Sequence, residues 1–324
     1  MVNRKKPLFS IIIAFHIMKD RFFFDLKKFS NQTIKEYEIL VMADRYVNFY
    51  FKDKQIRVIE PEKDIKLGEK RDLGYHKSKG EYCAYIDDDA YPDKNWLKNA
   101  HRIFKRDPKI GAVGGPNITP PDESFWSKIG GLIYTSYLTS GAQQYRFVPI
   151  RRYDDKELQG VNMIIRKSVL DELGGFTNKF NYGDDTKICS EIRNFGYKVI
   201  SDPKVIVYHH RRSFPFEHLK QIKSIGLHRG YFVRKYPETN APIYFAPVIL
   251  AIGFFGSVTG AILVDWLRLP FIVIFGSFFL LGVLSLRRYA PIHMAFIGSF
   301  GIILTHLWYG VFFIKGFITK HMAY

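Results

Sequence analysis

Tyr85-Ile86-Asp87-Asp88-Asp89-Ala90-Tyr91-Pro92 sets three consecutive carboxylates directly behind a short apolar run. A strand that ends in such a cluster offers hard oxygen ligands to Mg²⁺ or Mn²⁺, and an ion of that kind in turn holds a diphosphate. Three like charges this close repel one another, and a bound cation relieves the repulsion. Standing alone, the triplet would read better as a polar turn after a strand. The segments around it decide between the two.

Residues 10–15 form a continuous apolar run of strand length, the pattern of a parallel strand covered on both faces. Helical spacing over 25–32 follows, then apolar runs at 38–42 and 56–59, a helix over 68–79, and the strand 82–86 that delivers the carboxylates. Alternation of this kind argues for an α/β domain with a mostly parallel sheet. Ligands sit at the carboxyl ends of such strands, so Asp44 and the triplet can face one cleft. The second half reads as a strand at 110–114, a long irregular segment over 117–140 containing Pro120-Pro121, and a strand over 160–166. A helix over 168–173 is ended by Gly174-Gly175. Asp184-Asp185 open a helix over 186–195, and the strand 205–208 runs into His209-His210-Arg211-Arg212. The stretch 218–235 is amphipathic and is expected to lie along a membrane surface.

The end of the chain has a different composition. From residue 243 to 314 only Asp265, Arg268, Arg287 and Arg288 carry formal charge. Uncharged runs at 243–264, 269–286 and 290–314 are each near the ~20 apolar residues of a membrane-spanning helix. The 324 residues thus divide into a domain over 1–217, a juxtamembrane segment over 218–242 and a transmembrane region over 243–324. Lys and Arg total 48 against 31 Asp and Glu, an excess that suits nucleic acid, an anionic membrane surface or an anionic substrate. No nucleic-acid motif is present. Arg229, Arg234 and Lys235 precede the first run, which by the positive-inside rule makes this a multi-pass protein of the cell membrane with its N-terminal domain in the cytoplasm. Arg287 and Arg288 agree with that orientation; with three spans, Lys315 and Lys320 fall on the far side and do not. Residues 1–7 are polar and basic and the run 8–15 is too short for an h-region, so no signal peptide is expected. Cys83 and Cys189 are expected as buried free thiols. No signal specifies an oligomeric state.

These motifs, in this order, resemble glycosyltransferase family 2, the inverting enzymes with the GT-A fold. Ile13-Ala14-Phe15-His16 stands where the family's first strand lines the nucleotide, with His where Asn is usual, and Met42-Ala43-Asp44 keeps the second Asp of the family's pair. Lys70-Arg71-Asp72-Leu73-Gly74 and Gly80-Glu81-Tyr82 match the run into the D-x-D strand, where Asp87 and Asp89 take the D-x-D positions. Gly160-Val161-Asn162-Met163 with Arg166, then Gly174-Gly175-Phe176 through Gly183-Asp184-Asp185, resemble the acceptor half, Asp184 replacing the usual Glu and Lys187 a usual acid. Tyr208-His209-His210-Arg211-Arg212-Ser213, Gln221, Gly226 and Arg229 look most like the succinoglycan-biosynthesis type of membrane glycosyltransferase.

The resemblance implies nucleotide-sugar contacts from Phe15, His16, Asp44, Arg71, Asp87 and Asp88. It implies Mg²⁺ or Mn²⁺ on Asp89 and His209, an acceptor side with Asn162, Asp184 and Arg211, and Asp185 as general base. The partners it implies are a nucleotide sugar, preferably a UDP-sugar, and a polyprenyl-diphosphate-linked saccharide in the membrane. Read as residues alone, Arg71 is as well explained by a solvated helix charge, Asp184-Asp185 by helix capping, and His209 by a structural role. A polyprenyl-phosphate glycosyl synthase is the alternative within the class; a non-catalytic nucleotide-sugar-binding scaffold is the alternative outside it.

Overall fold

A computed structural model of the chain describes residues 6–15, 20–44, 53, 55–61, 63, 65–155, 157–176, 183–237 and 240–320. Two compact units are formed, Met1–Pro120 with Tyr145–His209 and Pro121–Gln144 with His210–Tyr324. In the first unit the order is β1 (Phe9–Ala14), α1 (Asp20–Lys28), β2 (Tyr37–Met42), β3 (Ile56–Ile59), α2 (Leu67–Lys77), β4 (Tyr82–Asp87), β5 (Ala90–Pro92), α3 (Trp96–Phe104), β6 (Ile110–Gly114) and β7 (Asn117–Ile118). Helices α4 (Phe125–Thr135) and α5 (Tyr137–Ser140) belong to the second unit. The chain re-enters the first with β8 (Tyr153–Asp154), β9 (Met163–Arg166), α6 (Lys167–Leu173), α7 (Asp184–Asn194), β10 (Lys198–Ser201) and β11 (Val207–His209). The second unit is completed by α8 (Phe216–Lys235), α9 (Ala246–Leu263), α10 (Arg268–Leu286) and α11 (Ile292–Ile318).

The main sheet runs β3-β2-β1-β4-β9-β6-β10-β8, and a small second sheet runs β5-β11-β7. β1 is parallel to both β2 and β4, whereas β9 lies antiparallel between β4 and β6. The continuous apolar run in β1 is explained by two cores. Phe9, Ile11 and Ile13 enter one, Ile12 the other, as a period of two requires when both faces of a strand are covered. This is the mixed α/β sheet expected of the fold.

Two local expectations change. The strand over 160–166 begins only at Met163, because Gly160–Asn162 makes a 3₁₀ turn. Asn162 holds that turn: its Oδ1 accepts from Trp96 Nε1 at 2.9 Å and its amide nitrogen donates to the Val205 carbonyl at 2.8 Å. The segment over 117–140 is not irregular either, since it contains α4 and α5. Ser124 and Ser136 cap them by accepting from the backbone N–H groups of Ser127 and Leu138. No apolar stripe betrays α4, because it is apolar nearly all round and carries Gly130-Gly131.

In the second unit Ile129, Leu132 and Ile133 of α4 share a core with Phe214, Val283, Leu286, Ala295 and Ile302. Among the described residues, three helical stretches there are long and apolar enough to cross a membrane: Pro242–Leu263, Asp265–Leu286 and Ile292–Ile318. Cys83 and Cys189 are buried free thiols.

Candidate active site

The register of the central strands sets Ala14 level with Met42 and with Asp87, so the carboxyl ends of β1, β2 and β4 form one edge. Edges of this kind are where parallel sheets bind ligands. His16 lies outside the described residues. Phe15 does not offer its ring to the edge: the side chain is fully buried, 4.7 Å from the Phe22 ring. Its carbonyl accepts from Lys70 Nζ at 2.6 Å, and the same ammonium pairs with Asp44.

β4 ends at Asp87, Asp88 and Asp89 make the turn, and the chain continues as β5 in the small sheet. β11 pairs antiparallel with β5 and sets His209 opposite Ala90, beside the turn. That pairing, tightened by Tyr91 stacked on Tyr208 at 5.0 Å, carries an imidazole to carboxylates far away in sequence. His209 Nε2 lies 3.1 Å from Asp89 Oδ1. Asp87, Asp89 and His209 each offer one ligand atom within 4.8 Å of the other two. Two carboxylate oxygens and one imidazole nitrogen form a donor set that suits a divalent ion such as Mn²⁺ or Mg²⁺. Burial pushes the Asp87 carboxyl up; Arg71 opposes the shift and Asp89 adds to it.

Arg71 joins this cluster to the acceptor half. Its guanidinium lies 3.1 Å from Asp87 Oδ1 on one side and 2.6 Å from Asp184 Oδ2 on the other. Burial works against the charge, but Asp184, Asp87 and Asp185 outweigh it and hold the side chain firmly protonated. Asp184 is 2% exposed, so its carboxylate is spent on Arg71. Asp185, the next residue, accepts from the Gly160 N–H at 3.1 Å through Oδ2 and from the Thr186 N–H at 2.8 Å through Oδ1. Burial and the adjoining Asp184 push the Asp185 carboxyl up to about 6, with Arg71 pulling the other way. The result is a carboxylate at a helix N-terminus poised to take a proton near neutral pH.

Gly160 leaves room for the guanidinium. A Cβ there would sit 2.5 Å from Arg71 Cζ. Gly160→Ala is therefore expected to displace Arg71, to cut turnover on the order of 10²-fold and to lower the melting temperature, since the buried pair with Asp184 is disturbed. Wild-type turnover in that variant would mean that the space beside the guanidinium does not matter to the reaction.

Sequence reasoning named Arg71 and left Lys70 out, although Lys70 is as deeply buried and binds the ends of β1 and β2 together. No sequence signal pointed to it: α2 is charge-rich and lacks an apolar stripe, so its pattern does not tell which charges face inward. Asp72 on the same helix accepts from the Phe176 N–H at 2.8 Å and so secures the Gly174-Gly175-Phe176 turn. Asn162 is 1% exposed with its amide spent on Trp96 and Val205, a bracing position. Arg211 belongs to the second unit, with its guanidinium 5.7 Å from the Tyr134 ring centre.

Residues 11–174 match a family model described as glycosyl transferase family 2. A dolichyl N-acetyl-alpha-D-glucosaminyl phosphate 3-beta-D-2,3-diacetamido-2,3-dideoxy-beta-D-glucuronosyltransferase of Methanococcus voltae is 26% identical over 169 residues, 50% of each chain. Glycosyltransferase AglE of Haloferax volcanii is 22% identical over 151 residues, 44% of each chain. The chain spans about half the length of the curated relatives it matches. Among solved structures, the mannosyltransferase PcManGT of Pyrobaculum calidifontis, in complex with GDP-Man and Mn²⁺, superposes with a TM-score of 0.60 at 16% identity, covering 98% of this chain and 89% of its own. That likeness is one of fold.

Proposed function

The chain belongs to glycosyl transferase family 2, and from that premise we propose a membrane-anchored, metal-dependent inverting enzyme that moves a sugar from a nucleotide sugar to a lipid-linked saccharide. The observation that carries this reading is the convergence of Asp87, Asp89, His209, Arg71 and Asp185 at one edge of the sheet.

A divalent ion on Asp87, Asp89 and His209 would neutralise the diphosphate oxygens as the leaving group departs. Asp185 takes the proton of the acceptor hydroxyl, whose oxygen bonds to the anomeric carbon while the bond from that carbon to the diphosphate oxygen breaks. In-line displacement of this kind inverts the centre and gives a β-linkage from an α-linked donor. Arg71 holds Asp87 and Asp184 at fixed separation, so that donor and acceptor groups stay in register. Asp44, oriented by Lys70, is the group assigned to the base of the nucleotide. A UDP-sugar is the preferred donor. The acceptor assignment draws support from the dolichyl phosphate in the name of the Methanococcus relative and from the apolar helices of the second unit. Asp184 in place of Glu is no argument for an inactive domain, because its shorter carboxylate already reaches Arg71.

Native membranes containing the full chain provide the test. UDP-, GDP- and dTDP-sugars are screened for nucleoside-diphosphate release with Mn²⁺ or Mg²⁺ and a polyprenyl-linked acceptor extract. One donor is expected to give acceptor-dependent release, and Asp89→Ala to lower it on the order of 10²-fold. Release indifferent to both chelation and Asp89→Ala would refute the metal assignment. Metal-dependent nucleotide binding without release from any donor would replace the enzyme by a binding scaffold.

A further inference from the structure

α8 runs alongside α11 in the same direction for much of its length. His218 Nε2 lies 2.9 Å from Thr305 Oγ1, Gly226 abuts Tyr309 and Phe312, Gly230 abuts Phe313 and Phe317, and the Arg234 guanidinium reaches the Thr319 carbonyl. Glycine at 226, 230 and 316 lets the two backbones approach closely. From 218 to 234 on one helix and 305 to 319 on the other, the shared path is about 20 Å. Wherever α11 goes, α8 goes with it. α8 carries Glu217, Lys220, Lys223, Arg229, Arg234 and Lys235, and Lys220, Lys223, Arg234 and Lys235 are exposed. Each charge drawn to the centre of a bilayer shifts the insertion equilibrium by on the order of a hundredfold.

The rest of that face of α11 is covered by α4 and α5. The Phe125 and His293 rings stack at 6.2 Å, Leu132 meets Gly298, Ile133 meets Gly301, and His306 Nε2 lies 2.9 Å from the Leu138 carbonyl. On the opposite face Ile292, Phe296, Phe300, Val311, Ile314 and Ile318 are exposed at helical spacing. One side of α11 is thus packed under α8, α4 and α5, and the other carries an apolar stripe exposed toward both ends of the helix and covered at Leu307 between them.

α9 and α10 form an antiparallel hairpin, with Phe254 against Phe275 at 4.9 Å and Phe271 at 5.9 Å. By that pairing Pro247 is roughly level with residue 280. Near this level α11 meets α9 through Gly310, against Pro247 and Ala251, and α10 through Ser299, against Gly282, with Phe296 on Phe279 at 4.8 Å, Gly298 against Leu286 and the His306 ring 6.3 Å from Phe278. Ser299 and Gly310 are about 16 Å apart along α11, so α11 bridges both helices of the hairpin near its open end.

From this we propose that α11 lies in the plane of the membrane surface, its apolar stripe set into the lipid headgroup layer, and that the α9–α10 hairpin alone crosses the bilayer. The inference rests on the membrane-anchored reading above and specifies its geometry. Lengths agree: α9 has 18 residues and α10 has 19, close to one hydrocarbon thickness, whereas α11 has 27. Charge agrees as well. Two crossings return Arg287, Arg288, Lys315 and Lys320 to the side of the first unit and leave Asp265 and Arg268 alone on the far side, which resolves the conflict that three crossings create.

Single cysteines read the topology in the full chain, because the native Cys83 and Cys189 are buried. Trp266→Cys reports the hairpin tip, Lys320→Cys the far end of α11, and Lys105→Cys the first unit. A membrane-impermeant maleimide applied to intact cells is expected to label only Trp266→Cys. After permeabilisation all three should label. Asp265→Cys and Thr319→Cys substitute for either membrane reporter that fails to accumulate. Labelling at 320 from outside, with 105 protected, would overturn the in-plane placement. Protection at 266 in protein that resists carbonate extraction would also overturn it, since the hairpin would then not cross. Release of the protein by carbonate would instead refute the membrane anchor beneath it.

Discussion

Asp185→Asn is expected to lower turnover by ~10²–10⁴-fold, the usual worth of a positioned general base, while donor binding stays near wild type. The amide oxygen can keep one of the two backbone hydrogen bonds that the carboxylate accepts from Gly160 and Thr186, but the side chain cannot take a proton from the acceptor hydroxyl. The pH dependence makes the assignment specific. Burial and Asp184 push the Asp185 carboxyl up to about 6, and the base works only when ionised, so wild-type turnover should rise with pH through about 6 and level off above it. Stability runs the opposite way. A carboxyl whose folded pKa lies above its ordinary 3.8 contributes in full below that value and loses its contribution as pH rises through about 6. The metal-free protein should therefore melt at a lower temperature across the window in which turnover climbs. Asp185→Asn should flatten both curves. A variant that keeps more than about a tenth of wild-type turnover, or a wild-type enzyme without the rising limb, would exclude Asp185 as the base.

The parts of the site legible in the sequence are those that local pattern encodes. An apolar run ending in three carboxylates, and two acids at the start of a helix, can each be read within ten residues, and the structure delivers both to one edge. His209 was readable only through the resemblance, because its place depends on the antiparallel register of β5 with β11 rather than on any neighbour in sequence. Phe15 and Asn162 show the limit. Their residue types suit a binding site, yet one ring faces Phe22 and the other amide is taken by Trp96 and Val205. Which way a side chain points at a strand end is set by tertiary packing, and hydrophobic period does not report it. α2 is illegible for the same reason: without an apolar stripe nothing in its sequence says that Lys70 and Arg71 face inward. For α11 the apolar run reports length and composition, whereas its path relative to a bilayer depends on the charged helix packed along it.

Arg71→Met is the second large effect, and it separates bracing from mere stability. Asp184 would be left in a buried position without its counter-charge, and breaking a buried pair from one side costs about 3–5 kcal/mol, readable by chemical denaturation of the full chain in detergent. Asp87 would lose the group that most opposes its upward shift, and Asp185 the group that pulls its carboxyl down. The rising limb of the pH–rate profile should accordingly move above about 6, together with a large loss of turnover. Arg71→Lys should recover little, because a single ammonium cannot fork between two carboxylates as the guanidinium does. The decisive variant pairs Arg71→Met with Asp184→Leu. With both buried charges gone, stability should return toward wild type, as it does when a buried pair is replaced by apolar groups of similar volume. Turnover should stay low, because Asp87 and Asp185 have still lost the cation that set their spacing and their protonation. Recovery of both in the double variant would reduce Arg71 to a partner for Asp184. Recovery of stability alone would make it the residue through which the metal cluster and the base are held in one frame.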